Sequence, residues 1–182
     1  MPGTLASLIP SPLHPAVVHL PMALAVLAPI FSVGAVVAVR RGARPLKSWS
    51  LAVAMFLALS ASAWFSIETG EDQEERVERV VSEAVLDSHA NAAENFLWLS
   101  IGVLGVAAVG LLNGRIGTTG RIIATAGSAL LLVAGYRVGH SGGELVYTHG
   151  AASAYVDSTA ALPASATSEQ ANGDGIHRDD RR

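Results

Sequence analysis

Four long apolar stretches run through the chain, and shorter polar segments separate them. The apolar stretches cover about residues 16–39, 48–67, 92–112 and 122–139. A hydrocarbon core of about 30 Å needs roughly 17–25 helical residues, so each stretch is long enough to cross a bilayer. Because lipid offers the backbone no hydrogen-bond partner, such a segment crosses as a helix. The pattern therefore predicts an all-α, polytopic membrane protein with a bundle of four transmembrane helices.

Two of the polar segments have patterns of their own. Segment 68–91 is rich in Glu and Asp, yet its valines at 77, 81 and 85 recur at helical spacing, which indicates an amphipathic helix. This helix either lies on the outer surface or runs directly into the third span. From residue 158 onward no apolar periodicity remains, as is typical of a disordered tail. We expect a membrane domain over residues 1–157 and a disordered tail over 158–182.

The charges between the spans predict the orientation. Basic residues fill the first and third loops, and acidic residues fill the second. The basic residues are Arg40, Arg41, Arg44, Lys47, Arg115 and Arg121. Since short basic loops stay in the cytoplasm, we expect both termini and the acidic loop outside the cell's inner (plasma) membrane. The N-terminal segment before the first span contains no Lys or Arg, so we interpret that span as retained rather than as a secretory signal.

Composition narrows the classes of function. Hydrophobic residues make up 51% of the chain and charged residues only 15%, against about 25% charged in soluble domains. The net charge of −3 argues against a nucleic-acid-binding surface. The chain has no cysteine, so disulfides, thiolate metal sites and covalent c-type haem are excluded. Any metal or haem would need histidine, carboxylate or methionine ligands.

Five of the six histidines fall at the outer end of the predicted bundle. They are His14 and His19 before or within the first span, His89 before the third, and His140 and His149 after the fourth. On a continuous helix, His89 shares a stripe with Val85 and Phe96, so we expect it to face into the bundle. His177 lies in the tail.

The prolines around the first histidines predict how the first helix begins. Pro15 suits the first position of a helix, because its missing N–H would have no partner there. Pro21 removes the hydrogen bond to the Val17 carbonyl and should kink the first turns. These prolines would then determine the direction of His19.

Our leading functional interpretation is non-covalent haem b and electron transfer. Imidazole is a good ligand for iron, and His19, His89 and His140 would come from three spans to one shared outer pocket. Arg137, an arginine within the membrane close to His140, would face a haem propionate. The expected lining of the slot comprises Phe96, Trp98, Gly102, Gly105, Gly135 and Gly139.

Two alternatives remain open. The first is a Cu or Zn ion at the outer face, held by ligands from His14, His19, His89, His140 and His149 with Glu68, Glu71 or Asp72 nearby. The second is a structural role without a cofactor, in which the histidines pair with backbone carbonyls and Glu94 or Asn95. The protein would then serve as a membrane partner for another complex. No nucleophile elbow, phosphate loop or HExxH motif is present, so we do not expect an enzyme by itself.

Several motifs resemble those of a bacterial membrane family, the domain of unknown function 2231 family. They are "LHPAVVHLPMAL" at the start, "TGED" after the second span, the His before the third span, and "GHSGGELVYTHG" at the end. The resemblance covers about residues 13–150 and implies a compact four-helix protein. Similar modules are joined to cytochrome c domains, which implies redox membrane proteins or cytochrome c as partners, besides the lipid bilayer.

Overall fold

Four long helices form the part of the chain that the structure describes, and the all-α prediction is confirmed. The computed structural model describes residues 12–156, which contain no strand. The helices are α1 (His14–Val17), α2 (His19–Arg40), α3 (Pro45–Val77), α4 (Glu83–Val109) and α5 (Gly114–Tyr147), followed by a 3-10 helix (Ala151–Tyr155). The long helices are apolar enough and long enough to cross a membrane. The predicted tail at 158–182, with His177, lies outside the described residues.

The acidic segment is divided between two helices. α3 continues past its apolar run to Val77, and α4 begins at Glu83. Between them, Val81 is buried in a small apolar cluster with Leu145 and Ala151. The valines that predicted an amphipathic helix thus pack on the end of α5 and on the 3-10 helix. Only the second half of the acidic segment, which begins at Glu83, runs directly into the third span.

The first helix is interrupted near Pro21, as the sequence predicts. α1 ends at Val17 and α2 begins at His19, with Val18 between them. Pro21 cannot donate a hydrogen bond to the Val17 carbonyl, which weakens the helix at this turn. The interruption separates His14 on α1 from His19 on α2.

The helices pack in a ring in which α2 and α4 each contact both α3 and α5. Buried positions alternate at spacings of three and four residues, which is the 3.5-residue period of helices packed side by side. On α2 they are Pro21, Ala25, Ala28, Ser32 and Ala35, and on α4 they are Phe96, Ser100, Val103 and Ala107. Most are small, and small residues let membrane helices approach closely.

Three fully buried serines lie within this core, at Ser32, Ser100 and Ser128. Each hydroxyl donates a hydrogen bond to a carbonyl three residues earlier on its own helix, which satisfies the donor without water. The Oγ atoms of Ser32 and Ser128 lie 3.4 Å apart across the α2–α5 contact. The large side chains that fill the remaining core are Trp49, Phe56, Leu59 and Leu131.

The bundle has two chemically different ends. The basic end contains the α2–α3 and α4–α5 loops, and the histidine end contains α1, the α3–α4 loop and the 3-10 helix. At the basic end, the Trp49 indole N–H donates to the Ala107 carbonyl at 2.7 Å. A Cβ on Gly120 would lie 2.8 Å from the Gly110 backbone nitrogen. Only glycine therefore permits this approach of α5 to the end of α4.

We predict that Gly120→Ala destabilises the bundle by about 1–3 kcal/mol, the usual cost of overpacking a filled interior. The added methyl group would meet backbone atoms, which cannot rotate away. Gly102→Ala is the matched control, because nothing lies within 4 Å of a Cβ there. Unfolding in detergent should separate the two variants, and equal stability would contradict the close approach of α4 and α5.

Candidate functional site

Two of the histidines come together at the histidine end of the bundle. His14 lies on α1 and His89 on α4, and both side chains are half-buried. α1 and α4 both pack on α3, which brings the two histidines to the same end of the bundle. His89 faces into the bundle, as its stripe with Phe96 predicts.

His14 is held by α3. Its Nδ1 lies 2.8 Å from the Ser66 carbonyl oxygen. A carbonyl can only accept, so Nδ1 carries the proton and donates it, and Nε2 keeps its lone pair. The Thr69 hydroxyl donates to the same carbonyl at 3.0 Å. The end of α3 thus fixes both the tautomer and the direction of the ring.

His89 is held by α5 in the same way. Its Nδ1 lies 2.8 Å from Ser141 Oγ, and the Ser141 hydroxyl donates its own proton to the Val138 carbonyl at 3.0 Å. Because the serine proton is already committed, Ser141 Oγ accepts from His89 Nδ1–H. His89 Nε2 therefore also keeps its lone pair.

A glycine makes room for each ring. A Cβ on Gly70 would lie 3.2 Å from the His14 ring, and a Cβ on Gly142 would lie 3.1 Å from the His89 ring. Both distances are tighter than ordinary van der Waals contact. These glycines belong to the "TGED" and "GHSGGEL" motifs, so the motifs place a flat ring against a helix.

The two halves of the chain repeat this arrangement. His14 and Ser66 are 52 positions apart, and so are His89 and Ser141. The number of positions that separates His14 from His89 also separates buried residues of α2 from their counterparts on α4. The paired positions are Pro21 and Phe96, Ala25 and Ser100, Ala28 and Val103, and Ser32 and Ala107. Each helical hairpin thus contributes one imidazole, held by the return helix of its own hairpin.

The hydrogen bonds leave both imidazoles in the tautomer that a metal ligand needs. Metal-binding histidines usually donate one ring N–H to a carbonyl, hydroxyl or carboxylate and bind through the other nitrogen. Both imidazoles meet that condition and come from separate helices.

The other predicted site residues lie elsewhere. His19, Arg137, His140 and His149 are exposed on the bundle surface. The His140 side chain is 56% exposed, and its Nδ1 lies 3.6 Å from a Glu144 carboxylate oxygen. His19 and His140 therefore do not join His89 in the predicted shared pocket, because both side chains face outward.

The position of each histidine around the helix explains why His14 is half-buried and His19 is exposed. His14 lies seven residues before the buried Pro21 and so continues the buried stripe, whereas His19 lies two residues before it and points to another side. His140 likewise falls between the buried Gly135 and Leu145 at a position that faces outward.

The residues predicted to bind a Cu or Zn ion do not form a cluster of ligands in the described structure. Within residues 12–156, no group of three or more His, Asp or Glu side chains could hold a metal ion. Glu68, Glu71 and Asp72 are all exposed.

The expected lining of a haem slot is only partly inside the bundle. Phe96 is buried, whereas Trp98 is 68% exposed. A Cβ on Gly135 would contact Phe96, and one on Gly139 would contact Met22, so these two glycines serve helix packing. Gly102 and Trp98 line an apolar groove of about 400 Å³ between α4 and α5, which contains no histidine, and Gly105 has open space beside it.

Tyr155 fastens the 3-10 helix beside the site. Its hydroxyl donates to Gln73 Oε1 at 3.1 Å, and the Arg76 guanidinium lies 5.3 Å from its ring centre. Burial raises the pKa of Tyr155, and the Arg76 charge opposes that rise. Sequence analysis missed this contact, since no local signal joins residues so far apart in the chain.

Comparison with known proteins gives one match. The family model described as "Predicted membrane protein (DUF2231)" matches residues 10–154. No curated protein and no solved structure matches the chain. The matched range contains both histidines, both glycines and the 3-10 helix up to Ala154.

We predict that Gly142→Ala displaces the His89 ring, whereas Gly143→Ala does not. The new methyl group would press on the ring at Gly142, while nothing lies within 4 Å of a Cβ on Gly143. The histidine ring signals in an NMR spectrum of the protein labelled at histidine report the displacement. Unchanged His89 signals in both variants would contradict the packing of the ring on α5.

Proposed function

The chain belongs to this family of predicted membrane proteins, and we propose that it binds haem b between His14 and His89 in an integral membrane bundle. The observation that supports the proposal most directly is the matched state of the two imidazoles. Both donate through Nδ1 to a neighbouring helix and keep Nε2 as a ligand.

The residues present fit haem better than they fit a zinc ion. Structural zinc sites use four protein ligands and catalytic ones use three, and the described residues offer no such group. Iron in a haem needs only two axial ligands from the protein. Haem, when bound, would supply one-electron redox chemistry, and His14 and His89 would hold and orient it.

A cation for the propionates is available on α5. Arg137 lies one helical turn before Ser141, the partner of His89. Residues four apart on a helix share a face. Arg137 is exposed on the bundle surface, one turn further from the histidine end than Ser141, so its side chain would have to extend toward that end to meet a haem carboxylate.

The proposed role is electron transfer at one membrane surface. The site lies at the end of the bundle, where a soluble carrier such as a cytochrome c or another redox membrane protein would reach it. Three acidic side chains next to Thr69 and Gly70 are exposed on α3, at Glu68, Glu71 and Asp72. An acidic surface attracts a basic carrier electrostatically.

The orientation of the bundle across the membrane is part of the same proposal. Arg40, Arg41, Arg44 and Arg115 are exposed at the basic end, and the positive-inside rule assigns that end to the cytoplasm. The histidine end then lies outside the inner (plasma) membrane, and both termini lie with it.

We predict that the protein purified from haem-supplied cells shows a low-spin haem b absorption spectrum, because two imidazoles bind one iron. His14→Ala and His89→Ala should each abolish this spectrum. His19→Ala and His140→Ala are matched controls, since both side chains are exposed, and they should retain it. The measurement is the Soret and α-band absorption with the haem content per protein.

The alternatives give different results in the same experiment. A haem-free protein with one copper ion per chain, lost in His14→Ala, would replace haem by a copper site on the same imidazoles. A protein with neither would leave the histidines as structural partners of Ser66 and Ser141. Loss of haem in His140→Ala but not in His14→Ala would overturn the proposed ligand pair.

We predict that a reporter active only in the cytoplasm is silent when fused after Val156 and active when fused within the α2–α3 loop. We expect this result because the exposed arginines lie at the basic end of the bundle, which contains the α2–α3 loop. Activity after Val156 would reverse the orientation and place the histidines at the cytoplasmic surface.

A further inference from the structure

A second polar site lies at the basic end of the bundle. A cavity of about 210 Å³ opens between α2 and α5, and its lining is Val36, Val39, Arg40, Thr118, Arg121 and Ile122. Two arginines and a hydroxyl thus share one cavity with three aliphatic side chains. The haem proposal does not involve any of these residues.

Arg121 is the unusual member of this set, because its side chain is only 5% exposed. Its guanidinium donates to the Gly110 and Leu112 carbonyls and to the Thr118 hydroxyl. These three hydrogen bonds close the end of α4 and fix the direction of the group. A guanidinium has five N–H donors, so the capping role does not use all of them.

The charge of Arg121 has no carboxylate partner within residues 12–156. The ion contact found there joins His140 and Glu144 at the opposite end of the bundle. Arg40, the second cation of the cavity, adds positive charge rather than balancing it. A buried cation is costly unless it is paired, and Arg40 and Arg121 both line this cavity, which has room for an anion.

The composition of the cavity indicates the kind of anion. Arginine binds phosphate oxygens through paired N–H donors. The Thr118 hydroxyl donates its proton to the Gly114 carbonyl and accepts from the Arg121 guanidinium, so Thr118 orients Arg121 rather than contacting the anion. Val36, Val39 and Ile122 form an apolar wall directly beside these groups. An oxyanion attached to an acyl chain uses both features, and basic pockets between membrane helices bind anionic headgroups.

We propose that the cavity formed by Arg40, Thr118 and Arg121 binds the phosphate of an anionic phospholipid at the basic end of the bundle. Arg121 is positioned by its three internal hydrogen bonds, and Arg40 closes on the headgroup from α2. The lipid joins α2 to α5, two helices that no loop connects. A free phosphate offers the same oxyanion without the acyl chain.

The test uses the full chain in neutral detergent. Phosphatidylglycerol is titrated and bound lipid is counted by native mass spectrometry, with phosphatidylcholine and inorganic phosphate as separate arms. We expect one phosphatidylglycerol to be retained and to raise the melting temperature. Arg40→Gln should weaken its binding about fivefold, the effect of one basic residue near an anionic headgroup. Thr118→Val should weaken it as well.

Arg115→Gln is the matched control, because Arg115 is exposed at the same end but does not line the cavity. It should change the affinity less than Arg40→Gln does. Stabilisation by inorganic phosphate alone, lost in Arg40→Gln, would keep the oxyanion site and assign it to a soluble ligand. Equal weakening by Arg40→Gln and Arg115→Gln, or no binding of either probe, would overturn the proposal.

Discussion

Close contact between helices through small side chains is the constraint on which the rest of the structure depends. In a bilayer, burial of apolar surface gives little driving force for helices to associate, so packing must supply it. The alternating stripe from Pro21 to Ala35 lets α2 lie close to both neighbours. Gly110 and Gly120 do the same for α4 and α5. The stripe sets the rotational phase of each helix, and residues directly beside it, such as Leu24, Val36 and Leu97, are only partly buried.

The positions of the two site histidines follow from the direction in which these buried stripes face. His14 continues the stripe of α2 across the interruption at Val18, and His89 continues the stripe of α4. Each ring then meets a glycine and an oxygen acceptor on the return helix of its own hairpin. Because both hairpins use the same spacing, each places its ring at the histidine end of the bundle.

Sequence alone predicted the four helices and the inward direction of His89, because hydropathy and a periodic stripe are local signals. It did not select His14 over His19. That choice depends on where the helix is interrupted and on how α2 is rotated against α3. It also missed Ser66 and Ser141, which are ordinary serines until the fold places a ring beside them. Arg121 could be counted as a basic loop residue from its position, but its burial follows only from the packing of α5 under the end of α4.

The hydrogen bond from Tyr155 to Gln73 has a consequence for whatever follows it in the chain. It fixes Tyr155, next to the last described residue, about one helical turn beyond Gly70, the residue that packs on His14. Any partner attached to the segment after Val156 would therefore be tethered within reach of the two imidazoles. Such a tether raises the local concentration of a weakly binding partner to the millimolar range when its length matches the span. The anchor would make an encounter at this surface frequent without requiring a large interface.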